Sequence, residues 1–450
     1  MSDQYIMYKD VPVVRMHVKN NICKFKLLDS EKAPLIFLDH SVSMDRAWKS
    51  FLQNRVPILT QDNYETVNRY IYEHYGQSIE YLRNSGVTEK DIKGFIYLRV
   101  SSAFHGISMT DSFWLKADGD NLVWNDVNPR KHELKDVCSI PELKSSLELQ
   151  QEYSGIHELY DEKLNGATPK MWKIYEDKVS ELYKRGGKQE TRNEVIISQI
   201  LDHTNVPHVS YEMVSEMSCK CRNIADDDIS VVNGDDIYHY CTKQDIAFGD
   251  FMKNLNPDLY NAMQVIDFLI DNPDRSIHNQ GCLRDNESGR IIDIQPLFDH
   301  NNAFDERLMA QDRNSDEYRR RLAHAKLCLS ECDFRMEQIP LAVFQDYEKY
   351  KSFMEKACDL GICRKELRKG TFIEKLFSKK EIYVVNEDYL SADIHNETMK
   401  KYMECDTMED REPDSDDDFA DYLHQCEMEA ASLNESQIIY EKELGEDIER

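Results

Sequence analysis

The sequence predicts an α+β protein with a strand-rich N-terminal part and a helical C-terminal part. Three observations carry this. Up to about residue 254, short apolar or alternating runs recur between turn signals. From about 255 the apolar residues fall on a helical period over long stretches, and strands followed by helices in separate blocks indicate α+β. The last fifty residues carry too much charge to add a core.

Taken in order, "VPVVRMHVKN" (11–20) and "APLIFLDH" (33–40) read as strands, with helical stretches around 62–84 and 88–105. "SFWLKADGDNLVWNDVNPR" (112–130) reads as a hairpin of two aromatic-bearing strands about an Asp-Gly turn. A polar stretch, 139–162, precedes a second hairpin over 166–186. "NEVIISQILDH" (193–203) spaces Val195, Ile196 and Ile200 as an amphipathic helix with Glu194 in its first turn, and the strand pair "HVSYEMV" and "SCKCRNI" follows. The stretches 258–272, 317–334, 340–360 and 364–379 are periodic in the helical sense. The expected organisation is an N-terminal α/β segment (1–150), a strand-rich domain (151–254), a helical domain (255–400) and an acidic tail (401–450).

With 56 basic and 84 acidic residues the 450-residue chain carries a net charge of −28. That balance disfavours broad binding to nucleic acid or to anionic lipid. Residues 401–450 hold 18 acidic against 4 basic residues, which is −14, half of the total. No leader pattern and no membrane-length apolar run occurs, so a soluble, cytoplasmic protein is expected. The twelve cysteines show no paired CxxC knuckles and read as reduced, buried thiols. Trp114, Trp124 and Trp172 read as core or cross-strand contacts, and 316–326 ("DEYRRRLAHAK") as a solvated helix face.

The chemistry concentrates in "NPDRSIHNQGCLRDNESGRIIDIQPLFDH" (272–300), where Asp274, Asn279, Asp293 and Asp299 crowd into turn-rich sequence. Carboxylates brought together repel one another unless a cation lies between them. Asp274 and Asn279 are five apart, after a helix expected to be buried, and Asp299 follows twenty residues later. That is the order and approximate spacing of a phosphotransfer loop, D-x4-N, followed by a metal-binding aspartate. One carboxylate would accept the proton of an attacking hydroxyl, while an amide oxygen and a second carboxylate would hold magnesium, a hard cation that prefers oxygen. Upstream, Lys184 ends a strand after a small-residue loop and Glu194 opens a helix, an arrangement in which a lysine holds nucleotide phosphates and a glutamate steadies it. A two-metal hydrolase using His278, His300 and Asp293 beside Asp274 and Asp299 is a weaker reading, since the basic surface that nucleic-acid hydrolysis wants is missing.

"NPDRSIHNQG" followed by "PLFDH" resembles the N-x-D-R-H-x-x-N and P-(L/I)-(F/Y)-D motifs of the HipA-like serine/threonine kinases, bacterial and phage proteins of the persistence-toxin type. "TDSFWLKADGDNLVWNDVNP", "TPKMWKI", "LYKRG" and "NEVIISQIL" are similar to segments of that family, in its order. The resemblance covers roughly 95–305, extends more weakly to about 380, and leaves out the tail. It implies a two-lobed, protein-kinase-like fold using ATP and Mg2+, with Asp274 and Arg275 catalytic, Asn279 and Asp299 on magnesium, and Lys184, steadied by Glu194, on the ATP phosphates. Gly166, Ala167, Thr168, Pro169 and Lys170 would form the loop over the phosphates, with Thr168 where some members carry a self-phosphorylated serine. The family's histidine after the arginine is Ser276 here, with His278 two positions later, and the phosphate loop is poorer in glycine.

The function expected is therefore an ATP- and Mg-dependent kinase acting on a serine or threonine of a protein substrate, as the toxin of a toxin–antitoxin pair if a small antitoxin or DNA-binding partner accompanies it. A catalytically weak pseudokinase or scaffold, and a small-molecule phosphotransferase on the same fold, are the alternatives.

Overall fold

The computed structural model describes residues 3–19, 22–39, 42–53, 55, 61–132, 137–140, 159–160, 170–174, 179–367 and 381–390. The chain is an α+β protein that divides into two compact units. The described residues of the first lie within 1–186 and a short excursion at 225–230; those of the second lie within 187–224 and 231–390.

In the first unit, β1 (Gln4–Tyr8), β2 (Val11–Lys19), β3 (Ile22–Leu27) and β4 (Phe113–Ala117) make an antiparallel sheet in the order β3-β2-β1-β4. The run predicted as a strand at 33–40 is instead a 3-10 turn, Leu35–Leu38, all four residues of which are buried. Pro34 lacks the N–H a strand would donate, and so short an apolar run does not distinguish strand from helix. α1 (Met44–Gln53), α2 (Gln61–Asn84) and α3 (Glu89–Ala103) follow; Thr88 caps α3 by accepting from the Asp91 N–H. Val67, Ile71, Ile79, Ile92, Val100 and Phe104 interlock between α2 and α3.

The expected hairpin at 112–130 is half strand. β4 pairs with β1, and after Gly119, in the left-handed region at φ 83°, the chain turns into α4 (Trp124–Val127). Trp124 is drawn in by its N–H, which donates to Asp10 Oδ1 at 2.7 Å, and it joins Trp114 and Trp172 in one buried cluster, in keeping with their reading as core contacts. β5 (Leu159–Tyr160), β6 (Lys170–Ile174) and β7 (Ser180–Arg185) are antiparallel neighbours, with Lys170 opposite Lys184 and Trp172 opposite Leu182. The excursion at 225–230 is anchored in this unit by Asp227, whose carboxylate accepts from Asn128 Nδ2 at 2.9 Å and meets Lys131 at 3.2 Å, while its carbonyl accepts from Lys9 Nζ at 2.7 Å.

The second unit opens with α5 (Lys188–Leu201), which starts five residues earlier than the periodicity indicated, so Glu194 lies in the second turn instead of the first. Glu190 reaches back to the Gly187 N–H and sets this earlier start. β8 (Tyr211–Ser215) and β9 (Ser218–Arg222) form the expected pair. β10 (Ile229–Asn233), α6 (Gly234–Gln244), α7 (Phe248–Leu255) and α8 (Pro257–Leu269) follow, then the hairpin β11 (Gly281–Asp285) and β12 (Ile291–Ile294), in a sheet of order β10-β11-β12. The remainder is α9 (Glu306–Met309), α10 (Asp316–Ser330), α11 (Leu341–Phe344), α12 (Tyr347–Leu360), β13 (Cys363–Leu367) and β14 (Glu381–Val385). The stretch 340–360 is broken by Gln345 at φ 53°, and the one read as helical from 364 begins as β13, antiparallel to β14, with its remainder outside the described residues. The tail, 401–450, also lies outside them. Among the described residues no helix is long and apolar enough to cross a membrane, and the described cysteines are free thiols, most of them buried.

Candidate active site

The candidate site of the second unit is built on the end of α8. Asn256 caps this helix by accepting from the Leu259 N–H at 2.9 Å, Pro257 occupies its first turn, and Leu259, Met263, Val265, Ile266, Phe268 and Leu269 are all buried. A helix buried over most of its surface from Leu259 onward is a fixed platform. Its last turn carries Asp267, and Asp271 follows in the left-handed region at φ 51°, fully buried, held by the Lys356 ammonium and by Ser352 Oγ at 3.1 Å.

The loop from 272 to 280 is closed by its own polar side chains. Asn272 donates to Asp267 Oδ1 at 2.8 Å and accepts from the Asp274 N–H at 3.1 Å. Asn279 donates its amide N–H to the Asp274 carbonyl at 2.7 Å. The five-residue spacing is therefore the one that lets Asn279 close the loop, and this bond leaves its amide oxygen with no donor among the described residues. Asn302 donates to Asp274 Oδ2 at 3.0 Å, and the other oxygen of that carboxylate has no donor among the described residues.

Arg275 is 8% exposed in its side chain and binds four oxygens: Asp267 Oδ2 at 2.9 Å, Asp267 Oδ1 at 3.0 Å, the Asn279 carbonyl at 2.7 Å and the Phe298 carbonyl at 3.2 Å. One guanidinium thus joins helix end, loop and the residue before Asp299. Four of its five donors are bonded to protein, so its geometry is that of a clamp. Ser276 lends its carbonyl to the Asn279 N–H at 3.2 Å, and His278 meets Asp235 of α6 at 3.1 Å. The histidine two positions late in the motif therefore docks α6 on the loop. Gly234 starts α6 directly against the Ile277 carbonyl, where a Cβ would overlap that oxygen.

Beyond the β11–β12 hairpin, the Leu297 N–H donates to the Pro207 carbonyl and the Val209 N–H to the Leu297 carbonyl, both by 2.9 Å or less. Asp299 then adopts φ 61°, a backbone state that side chains other than glycine seldom take. The next N–H, of His300, donates to Glu194 Oε2 at 3.0 Å in a buried setting. The second unit thus brings Asp274, Arg275, Asn279, Asp299 and Glu194 into one bonded assembly. Lys184 is buried on β7 of the first unit, Lys170 is on β6, and Gly166, Ala167, Thr168 and Pro169 lie outside the described residues. Among the described residues no three His, Cys, Asp or Glu side chains gather as a metal cluster, so Asp293, His278 and His300 do not complete a two-metal site; Asp293 instead accepts from Asn256 Nδ2 at 2.7 Å. An amide oxygen and one carboxylate suit magnesium, which keeps several waters and takes its other ligands from phosphate.

Sequence reading passed over Asn193, Asn302 and Gly234, whose types signal only caps and turns. The unit also holds a cavity of about 330 Å3 among α9, α10 and α12, lined by Met309, Arg313, Tyr318, Lys351 and Lys356.

No protein-family model and no curated protein matches the sequence. Among solved structures, the chain is similar to CtkA, a proinflammatory kinase of Helicobacter pylori, at 13% identity and a TM-score of 0.27, over 42% of this chain and 90% of that one. It is similar also to the HipA–HipB–operator DNA complex of a Shewanella oneidensis MR-1 toxin–antitoxin system, at 11% identity and a TM-score of 0.40, over 80% of this chain and 97% of that one.

Proposed function

We propose that this protein is an ATP- and magnesium-dependent phosphotransferase of the HipA-like kinase type, with a two-lobed kinase-like arrangement, that phosphorylates a serine or threonine hydroxyl of a protein. The observation that supports this best is the closed loop. Asn279 bonds the Asp274 carbonyl, Asn302 holds one Asp274 oxygen, and Arg275 ties the loop to Phe298 beside Asp299. In this reading the acceptor hydroxyl donates its proton to the open oxygen of Asp274 as its own oxygen attacks the γ-phosphorus and the bond to the ADP oxygen breaks. Asn279 and Asp299 would hold magnesium, which when bound offsets charge on the phosphates. Lys184 and the 166–170 loop carry the phosphates, with Glu194 steadying the lysine, and Arg275 keeps Asp274 and Asp299 in register. Arg275 is then a positioning residue. A small antitoxin or DNA-binding protein as partner belongs to the same reading.

A second reading is a small hydroxyl compound as acceptor; the cavity among α9, α10 and α12 offers space on the helical side, and its lining includes none of Asp274, Asn279 and Asp299. Incubation with γ-labelled ATP, magnesium and cell lysate separates the two. Label in protein supports the first, label in a small molecule the second, and no label in either contradicts both.

A further inference from the structure

Asn193 precedes Glu194 on α5 and is 4% exposed. Its Nδ2 donates to the carbonyls of Asn301 at 2.9 Å and of Ala303 at 2.6 Å, the residues on either side of Asn302. Its Oδ1 accepts from Gln189 Nε2 at 2.9 Å and Lys349 Nζ at 2.8 Å. Its two donors and both acceptor positions are therefore engaged. Asn302 itself is exposed, and its bond to Asp274 Oδ2 is the one hydrogen bond of its side chain among the described residues.

We propose that Asn193 is a positioning residue for phosphoryl transfer, acting through Asn302 on the Asp274 carboxylate; this rests on the reading of Asp274 as the base. An exposed amide reaches a fixed target only while its own backbone is fixed, because a free asparagine exchanges rotamers. Asn193 supplies that restraint from both flanks at once. On the C-terminal side the Phe304 N–H adds a bond to the Ile270 carbonyl at 2.7 Å, joining the segment to the end of α8 from which the Asp274 loop departs. Asn302 then pins one carboxylate oxygen and sets the direction of the other, toward the proton it accepts. Misplacement of such a group acts on the chemical step and leaves nucleotide affinity nearly alone.

The test uses Asn193→Asp, which is nearly isosteric, keeps an acceptor for Gln189 and Lys349, and removes the donor to the two carbonyls. The full-length variant should lose about tenfold in kcat while its Kd for ATP stays within about twofold of wild type. Asn302→Ala should lose a similar factor, and the double variant should be no worse than the poorer single one, because both changes break one relay. Wild-type kcat in Asn193→Asp, losses that multiply in the double variant, or a Kd for ATP that rises in step with the loss of kcat would each overturn the proposal. Should Asn193→Asp fold poorly, Asn302→Ala on the surface carries the test, and an unchanged kcat there overturns it. Transfer surviving in Asp274→Ala would remove the reading itself and the relay with it. An inert Asp274→Ala beside a fully active Asn193→Asp would remove the relay alone.

Discussion

Arg275 and Asp267 are joined by two parallel bonds, Nε to Oδ2 at 2.9 Å and Nη2 to Oδ1 at 3.0 Å, with side chains only 8% and 10% exposed. A buried pair of this kind contributes little net stability over an apolar replacement, but removing one member strands the other charge. Arg275→Met should therefore cost about 3–5 kcal/mol in denaturant unfolding, and Asp267→Ala a similar amount. The double variant should be more stable than the sum of the two losses allows, since neither charge is left alone. Strictly additive losses would mean that the guanidinium serves the Asn279 and Phe298 carbonyls and not Asp267.

Gly234 gives a second handle on the loop. A Cβ there would overlap the Ile277 carbonyl and approach that of Gln280, both backbone atoms, so α6 or the loop must shift. Gly234→Ala should cost about 1–3 kcal/mol, as overpacking does, and should lower phosphotransfer by more than its stability loss explains. Gly361→Ala is the matched control. Nothing stands before its Cβ, but φ is 85°, so it should cost about 1–2 kcal/mol of backbone strain and leave transfer intact. Equal activity in the two variants, measured well below their melting temperatures, would contradict the assignment of α6 as a support for the loop.

Parts of this were legible in the sequence for a physical reason. α8 and α10 announce themselves because each buries a stripe at helical spacing, and the five-residue interval from Asp274 to Asn279 is used by a short-range bond. What escaped is settled by distant partners. Trp124 looks like a strand aromatic, but its N–H bonds Asp10, 114 positions away. Asn193 bonds carbonyls 108 and 110 positions away, and no local pattern marks such an asparagine. The "LIFL" turn after Pro34 is apolar throughout, and such a run carries no period to read.

Asp227 makes the first unit sensitive to acid. Burial alone would push its carboxyl upward, but hydrogen bonds from Asn128 and Lys131 and the charges of Arg130 and Lys131 hold it below its ordinary value. The folded state therefore binds this proton less readily than the unfolded chain. The stabilisation is complete above the ordinary carboxylate range and is lost as pH falls through the lowered folded value. Asp227→Asn should melt below wild type at neutral pH, by under about 1 kcal/mol because the group is half exposed. The gap should close as the pH falls through the lowered folded value. A gap that stays constant with pH would show that the carboxylate charge contributes nothing.

The most direct measurement sets transfer against nucleotide binding in Asp274→Ala and Asp299→Asn, each titrated with magnesium. In the proposed reading Asp274 meets the acceptor hydroxyl, so Asp274→Ala should lose about 10²–10⁴-fold in γ-phosphoryl transfer while binding ATP at the wild-type magnesium concentration. In the same reading Asp299 is a charged magnesium ligand, so the ATP binding and the transfer of Asp299→Asn should fail together and recover together as magnesium is raised. Phosphoryl transfer persisting in Asp274→Ala, or superimposable magnesium curves for the two variants, would contradict the account.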